Sequence, residues 1–189
     1  TYKAALKTIK IPKSQDEIAT ILNEFGDEKS VTEYYREIVG DIVKEIVLMS
    51  KLKGITNIVS YEDHAVIPNE DKIGWDIYIR MELLIPLFEY TKEHQLSVRD
   101  VIQLGIDMCK AIEVCQKYNI IHRDIKPENI FVSEMGDYKL GDFGISRQLE
   151  KTALEFSQKG TYSYMAPEVY KGKNYNSNVD IYSLGIVLY

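Results

Sequence analysis

The chain has little of what usually staples or anchors a protein. Its 189 residues hold two cysteines, one tryptophan and five prolines. Cys109 and Cys115 fall in one helical segment. Side chains six positions apart on a helix do not face each other well, so no intrachain disulfide is expected. Neither cysteine stands at metal-ligand spacing, and a reducing, cytoplasmic setting fits. No apolar run approaches the roughly 20 residues of a membrane span. Positive charge is in deficit: 23 Lys and Arg stand against 29 Asp and Glu, a net charge of -6. This argues against a nucleic-acid partner, which usually needs a basic face. Internal repeats and low-complexity stretches are missing too. There is no signal peptide, but a strand-like pattern is already under way at Thr1, so the segment reads as cut from something longer. What is present is an ordinary globular balance, 45% hydrophobic and 28% charged, with fourteen tyrosines spread along the chain as packing residues.

Residues 2–11 read as a strand ended by Pro12. Ala5, Lys7, Ile9 and Ile11 share one face by the period of two, which sets Lys7 among small and apolar neighbours. A lysine there must snorkel out or find an anion. Residues 12–30 read as a short helix and loop broken by Gly26. Ser30 and Glu33 form a capping box for a helix that runs to about Lys53 and stops at Gly54, with Ile38, Ile42, Ile46, Met49 and Leu52 as its apolar stripe. Glu45 lies beside that stripe. It either turns inward to a cation such as Lys7 or rides the edge in solvent. Residues 58–67 and Trp75–Leu84 read as strands joined by a polar turn, and Ile85-Pro86-Leu87 as a linker between two halves, 1–83 and 84–189. Ser97 and Asp100 box the start of another helix, to about Tyr118, whose inward face is Val101, Gly105, Met108, Cys109 and Ile112.

The apolar end Asn119-Ile120-Ile121 runs into His122-Arg123-Asp124-Ile125-Lys126-Pro127-Glu128-Asn129, and the strand Ile130-Phe131-Val132 comes at once. An acid, a cation and an amide are thus held on a short loop expected to be pinned by strands at both ends. Ser133–Asp137 turns a hairpin into Tyr138-Lys139-Leu140, which delivers Gly141-Asp142-Phe143-Gly144. A carboxylate between glycines at a strand end suits a metal ion. A polar segment, 145–159, carries Ser146, Thr152 and Ser157. Gly160-Thr161 and Ala166-Pro167-Glu168 come next, and an apolar, buried helix begins at Asp180.

Taken in order, Ala5-Leu6-Lys7, Glu45, His122-Arg123-Asp124 with Asn129, Asp142-Phe143-Gly144 and Ala166-Pro167-Glu168 resemble the eukaryotic-type (Hanks-type) Ser/Thr protein kinases over essentially the whole chain. The wording of the motifs inclines toward a bacterial member. The resemblance implies an α+β bilobal fold, with a β-rich lobe bearing one long helix and a mainly helical lobe. It implies ATP and Mg2+ as cofactors and Ser/Thr hydroxyls of proteins as acceptors. Lys7 would hold the α- and β-phosphates and Glu45 would hold Lys7. Asn129 and Asp142 would hold magnesium. Asp124 would take or orient the substrate proton, Lys126 would neutralise charge at the γ-phosphate, and Thr161 would bond both. Met81 would be the gatekeeper, Glu82 and Leu84 would meet the adenine edge, and Ala5 and Phe131 would sandwich the ring. Met49, Tyr61, His122 and Phe143 would stack as a spine anchored by Asp180.

Two departures accompany the resemblance. The chain starts at the strand that follows the family's Gly-rich phosphate loop, and it stops inside the helix that begins at Asp180, without the arginine expected to pair with Glu168. An incomplete domain, binding ATP weakly by itself, is therefore expected. Two other classes of function stand beside the kinase. One is a non-catalytic kinase-like scaffold, disfavoured because every catalytic position in the chain carries a competent residue. The other is a small-molecule phosphotransferase, disfavoured by the Gly-Thr and Ala-Pro-Glu segment. Arg123, beside the catalytic acid, needs an anion. Autophosphorylation at Ser157 or Thr152, through self-association, would supply one; Glu150 or Glu155 could supply one without modification.

Overall fold

A computed structural model of the chain describes residues 3–70, 72–143, 163–171 and 175–189. They fall into two compact units, Thr1–Leu52 with Tyr61–Leu83, and Lys53–Ser60 with Leu84–Tyr189.

The first unit is a three-stranded antiparallel sheet with two helices. Strand β1 (Ala4–Ile11) pairs with β3 (Trp75–Glu82), and β3 pairs with β2 (Tyr61–Pro68), giving the order β1-β3-β2. The alternation expected of β1 is present. Ile9 and Ile11 are buried, Ala5 and Lys7 are half-buried on the same face, and Leu6 points outward. Pro12 ends the strand because it has no N–H to give to a ladder. Helix α1 (Gln15–Phe25) starts at Ser14 and closes on Gly26, which takes the left-handed φ of 81° that a side chain would resist.

Helix α2 (Glu28–Lys51) begins one turn earlier than the Ser30–Glu33 box predicts. Its N-cap is Asp27. The Asp27 carboxylate accepts the Ser30 N–H at 2.9 Å and the Ser30 hydroxyl at 2.6 Å, and these two bonds hold its pKa below the usual carboxylate value. Ser30 is thereby spent as a donor, and Glu33 pairs with Arg36 instead. A carboxylate just after a left-handed glycine is the stronger start signal. The buried stripe of α2 is Val31, Tyr35, Val39, Ile42, Ile46 and Met49; Ile38, expected inside, is half-buried.

The second unit carries a small sheet of order β4-β5-β6, formed by Ile85–Pro86, Ile130–Val132 and Tyr138–Leu140. The expected linker Ile85-Pro86-Leu87 is thus a short strand followed by the first residue of α3 (Leu87–Glu93). The first residues of the strand expected over 58–67 also belong here. Asn57 donates from Nδ2 to the Tyr138 carbonyl at 3.1 Å, and Val59 N–H donates to the Leu140 carbonyl at 2.9 Å. The strand itself starts only at Tyr61.

Helix α4 (Val98–Lys117) has the full Ser97–Asp100 capping box. Its inner face is rotated from the expected one. Leu104, Asp107, Met108, Ala111, Ile112 and Cys115 are buried, Val101 and Gly105 are half-buried, and Cys109 is exposed. The polar residue that disguised the pattern is Asp107. It accepts the Gln103 amide at 2.9 Å and the Tyr138 N–H at 3.4 Å, tying α4 to β6. Both cysteines are free thiols, and burial, reinforced by the negative Asp180, pushes Cys115 up to about 12.

Helices α5 (Pro167–Tyr170) and α6 (Asn178–Leu188) follow. Helix α6, expected to be buried, is so on one side only. Val179, Asp180, Ser183 and Leu184 are inside, while Ile181, Tyr182 and Ile186 are exposed. Among the described residues no helix is long and apolar enough to cross a membrane.

Candidate active site

The loop from His122 to Asn129 is pinned differently from the sequence expectation. Ile120 and Ile121 form no strand; Asn119 turns the chain with a left-handed φ of 56°. The near end of the loop is held instead by one side chain of α6. Asp180, only 1% exposed, accepts the His122 N–H on Oδ2 at 2.8 Å and the Arg123 N–H on Oδ1 at 2.7 Å. Arg123 carries φ 68°, a conformation that needs such support in a non-glycine residue. At the far end, a 3-10 turn, Pro127–Asn129, leads into β5 as expected. Ile125 and Ile130 are buried at 1% and 0% exposure and plug the loop into the core between these supports.

Three polar groups converge in that frame. Asp124 Oδ2 accepts from Lys126 Nζ at 2.9 Å and from Asn129 Nδ2 at 2.8 Å, and the same Nδ2 donates to the Asp124 carbonyl at 2.8 Å. Asp124 and Lys126 keep 15% and 21% of their side-chain surface, enough to be reached yet screened little by water. With its nitrogen committed to Asp124, the Asn129 amide still offers its oxygen to a ligand.

The strand end that carries Asp142 is tied to this loop. Gly141 N–H donates to the Asn129 carbonyl at 2.9 Å, and the Gly141 carbonyl faces His122 Nε2 at 2.9 Å. A methyl on Gly141 would lie 2.6 Å from Val59 Cγ2 and 2.9 Å from Phe131 Cε2, so only glycine fits. Phe143 packs edge-on against His122, with ring centroids 4.9 Å apart. Asp142 follows with a left-handed φ of 58°. Two oxygen-bearing side chains, Asn129 and Asp142, are thus set on adjoining backbone. That donor set suits a hard cation that keeps waters and shares substrate phosphates. Among the described residues there is no cluster of three His, Cys, Asp or Glu that would make a closed protein cage.

The remaining candidates lie as follows. Ala5 and Lys7 stand opposite Met81 and Ile79 in the β1–β3 ladder. Glu45 is half-buried between Ile42, Ile46 and Met49, with one carboxylate oxygen, Oε2, out of contact with solvent. Lys7 and Glu45 each have an interaction partner. Met81 and Glu82 end β3, Leu84 precedes β4, and Phe131 is the middle residue of β5. Met49 and Tyr61 are buried in the first unit. Thr161, Thr152, Ser157, Glu150 and Glu155 lie outside the described residues. The family resemblance names Asp180 as an anchor, but its grip on two consecutive amides has no mark in the local pattern beyond a lone acid opening an apolar helix.

His122 sets a pH limit. Burial holds its pKa below the usual histidine value, against the opposing pull of Asp180, the Gly141 carbonyl, Asp124 and Asp142. The neutral ring donates from Nε2 to Gly141 and accepts the Asp124 N–H on Nδ1 at 3.3 Å. The unfolded chain binds this proton near pH 6.5, about the unperturbed value, and the folded chain only at lower pH. Stability contributed by the neutral ring is therefore present above about pH 6.5 and is lost as pH falls below it, by at most about 1.4 kcal/mol per pH unit. Urea titrations at pH 7.5 and 5.5 should show a larger loss in the wild type than in His122→Phe, which keeps a ring against Phe143. Equal losses would contradict this reading.

Residues 3–189 match the family described as the protein kinase domain. A probable serine/threonine-protein kinase of Clostridium perfringens is 33% identical over 89% of this chain and 25% of its own length. The serine/threonine-protein kinase Nek2 of Mus musculus is 34% identical over 86% of this chain and 38% of its own length. The serine/threonine-protein kinase pakA of Dictyostelium discoideum is 34% identical over 77% of this chain and 12% of its own length. The chain thus spans well under half of each of these relatives. A family match over almost every residue, with the loop and strand-end motifs in one constellation, leads to one statement: the chain belongs to the protein kinase domain family, of the eukaryotic (Hanks) type.

Proposed function

We propose that the protein of which this chain is part is an ATP-dependent serine/threonine protein kinase. The observation that carries the reading is the Asp124 carboxylate, held at once by Lys126 Nζ and Asn129 Nδ2 on a loop whose backbone Asp180 fixes. A substrate hydroxyl oxygen attacks the γ-phosphorus, the bond from that phosphorus to the β,γ-bridging oxygen breaks, and ADP leaves. The hydroxyl proton goes to Asp124. Lys126 neutralises charge at the transferred group, and its identity, with Thr161, favours Ser/Thr over Tyr acceptors. Asn129 and Asp142 supply oxygen ligands for Mg2+, whose chemistry when bound is to neutralise phosphate charge. Lys7, held by Glu45, takes the α- and β-phosphates. Met81, Glu82, Leu84, Ala5 and Phe131 are the adenine-binding candidates that the family resemblance names. Since phosphoryl transfer asks for positioning and charge neutralisation more than covalent chemistry, a preorganised loop is the part of the machinery that matters most. A cytoplasmic setting fits the sparse, unpaired cysteines.

Regulation is read from Arg123. We assign Ser157 or Thr152 as autophosphorylation sites, modified through self-association, whose phosphate orders segment 145–159 on Arg123. Intact-mass and peptide analysis of the full-length protein after incubation with magnesium-ATP should find phosphate there, and the Ser157→Ala, Thr152→Ala double variant should lose activation. Undiminished activity in that variant would leave Arg123 a structural residue.

Catalysis itself is tested by Asp124→Asn in the full-length protein, which keeps size and most hydrogen bonds but removes the charge. Turnover should fall by roughly 10²–10⁴-fold, with ATP affinity nearly intact. Collapse of ATP binding with an unchanged residual rate would show Asp124 to be structural.

A further inference from the structure

Arg123 has an exposed guanidinium that forms no ion pair among the described residues. What stands against it is aromatic. Its Cζ lies over the ring of Tyr175, 5.5 Å from the centroid, within cation–π range. Tyr175 is five positions before Asp180, and Asp180 already holds the Arg123 main-chain N–H at 2.7 Å. One short segment therefore grips the same arginine twice, at the backbone through a carboxylate and at the charge through a ring. The segment is itself anchored. Ser177 Oγ accepts from Gln116 Nε2 of α4 at 3.2 Å, Asn176 Oδ1 accepts the Asn178 N–H at 2.9 Å, and Val179 N–H returns to the Asn176 carbonyl at 3.3 Å.

We propose that Tyr175 is a positioning residue, its ring being the resting seat of the Arg123 guanidinium, which an anion must vacate or share in order to take the arginine. That the anion is a phosphorylated residue of segment 145–159 rests on the functional reading above. An exposed cation–π contact is weak, and a phosphate bound bidentately is stronger, so the seat yields to phosphate instead of blocking it. Its effect is to fix the side chain when no phosphate is present and to weaken the apparent phosphate affinity by about two- to fivefold. The seat needs an aromatic face and not a hydroxyl, so phenylalanine should replace tyrosine and leucine should not.

The test is the NMR signal of the Arg123 side-chain Nε–H in the unphosphorylated full-length protein, assigned by its loss in Arg123→Lys, with inorganic phosphate as the titrant. Tyr175 is 36% exposed, so Tyr175→Phe and Tyr175→Leu should both fold, which melting curves verify. The account expects a ring-current upfield shift in the wild type and in Tyr175→Phe that is lost in Tyr175→Leu. It also expects phosphate to move the signal at about two- to fivefold lower concentration in the leucine variant. A wild-type signal identical to that of Tyr175→Leu, or a phenylalanine variant that behaves like leucine, overturns the seat. A signal that depends on the ring but ignores phosphate in all three proteins upholds the seat and removes the phosphate switch instead.

Discussion

One carboxylate carries the second unit. Asp180 sits almost wholly out of water and spends its two oxygens on two consecutive backbone donors, His122 and Arg123. A buried charge is tolerated only when its hydrogen-bonding capacity is met, and here it is met by amides that have no partner in any helix or sheet. The exchange suits both sides. The loop obtains a rigid starting point without a strand, and the start of α6 obtains satisfied partners for its acid. The left-handed Arg123 and the Asp124 geometry follow from that starting point.

The same use of buried polar groups recurs through the unit. Asp107 reaches from α4 to the Tyr138 amide, and Asn57 bonds the Tyr138 carbonyl. His122 spans the loop and the strand end by bonding Gly141, whose own N–H returns to Asn129. Apolar packing by Met108, Ile112, Ile130 and Leu140 drives the unit together, but it is indifferent to sliding by an ångström. Directional bonds remove that freedom, as the proposed phosphoryl transfer would require, because small misplacements cost rate steeply.

Much of this was legible in the residues. The period of β1, the glycine stop at Gly26, the Ser97–Asp100 box and the hairpin at Ser133–Asp137 are local signals, and local physics answers them; α2 ends at Lys51, short of the expected stop at Gly54. The start of α2 was displaced by a local competitor, Asp27, but the other errors share one cause, in that a partner far along the chain overrode a local pattern. Ile120-Ile121 looks like a strand end because it is apolar and β-branched, yet its neighbours bond a carboxylate 58 residues away. Ile85–Pro86 looks like a linker because of its proline, yet β5 gives it a partner. The inner face of α4 was misjudged because Asp107 belongs to it. The converging groups Asp124, Lys126 and Asn129 were visible as spacing, whereas the ring of Tyr175 beneath Arg123 has no signature in sequence.

The central claim is that the grip of Asp180 on two amides sets the geometry of the His122–Asn129 loop. Asp180→Asn tests it most directly, since it keeps the shape but turns one acceptor into a donor facing an N–H. Hydrogen bonds to charged groups are worth roughly 1.5–3 kcal/mol, so the loss should be plain. Amide hydrogen exchange at His122 and Arg123, measured in the full-length protein, should quicken by tenfold or more, as such a loss implies, while exchange in the β1–β3 ladder stays as it was. Exchange at the two amides equal to the wild type would contradict the account and leave Asp180 a bystander to the loop.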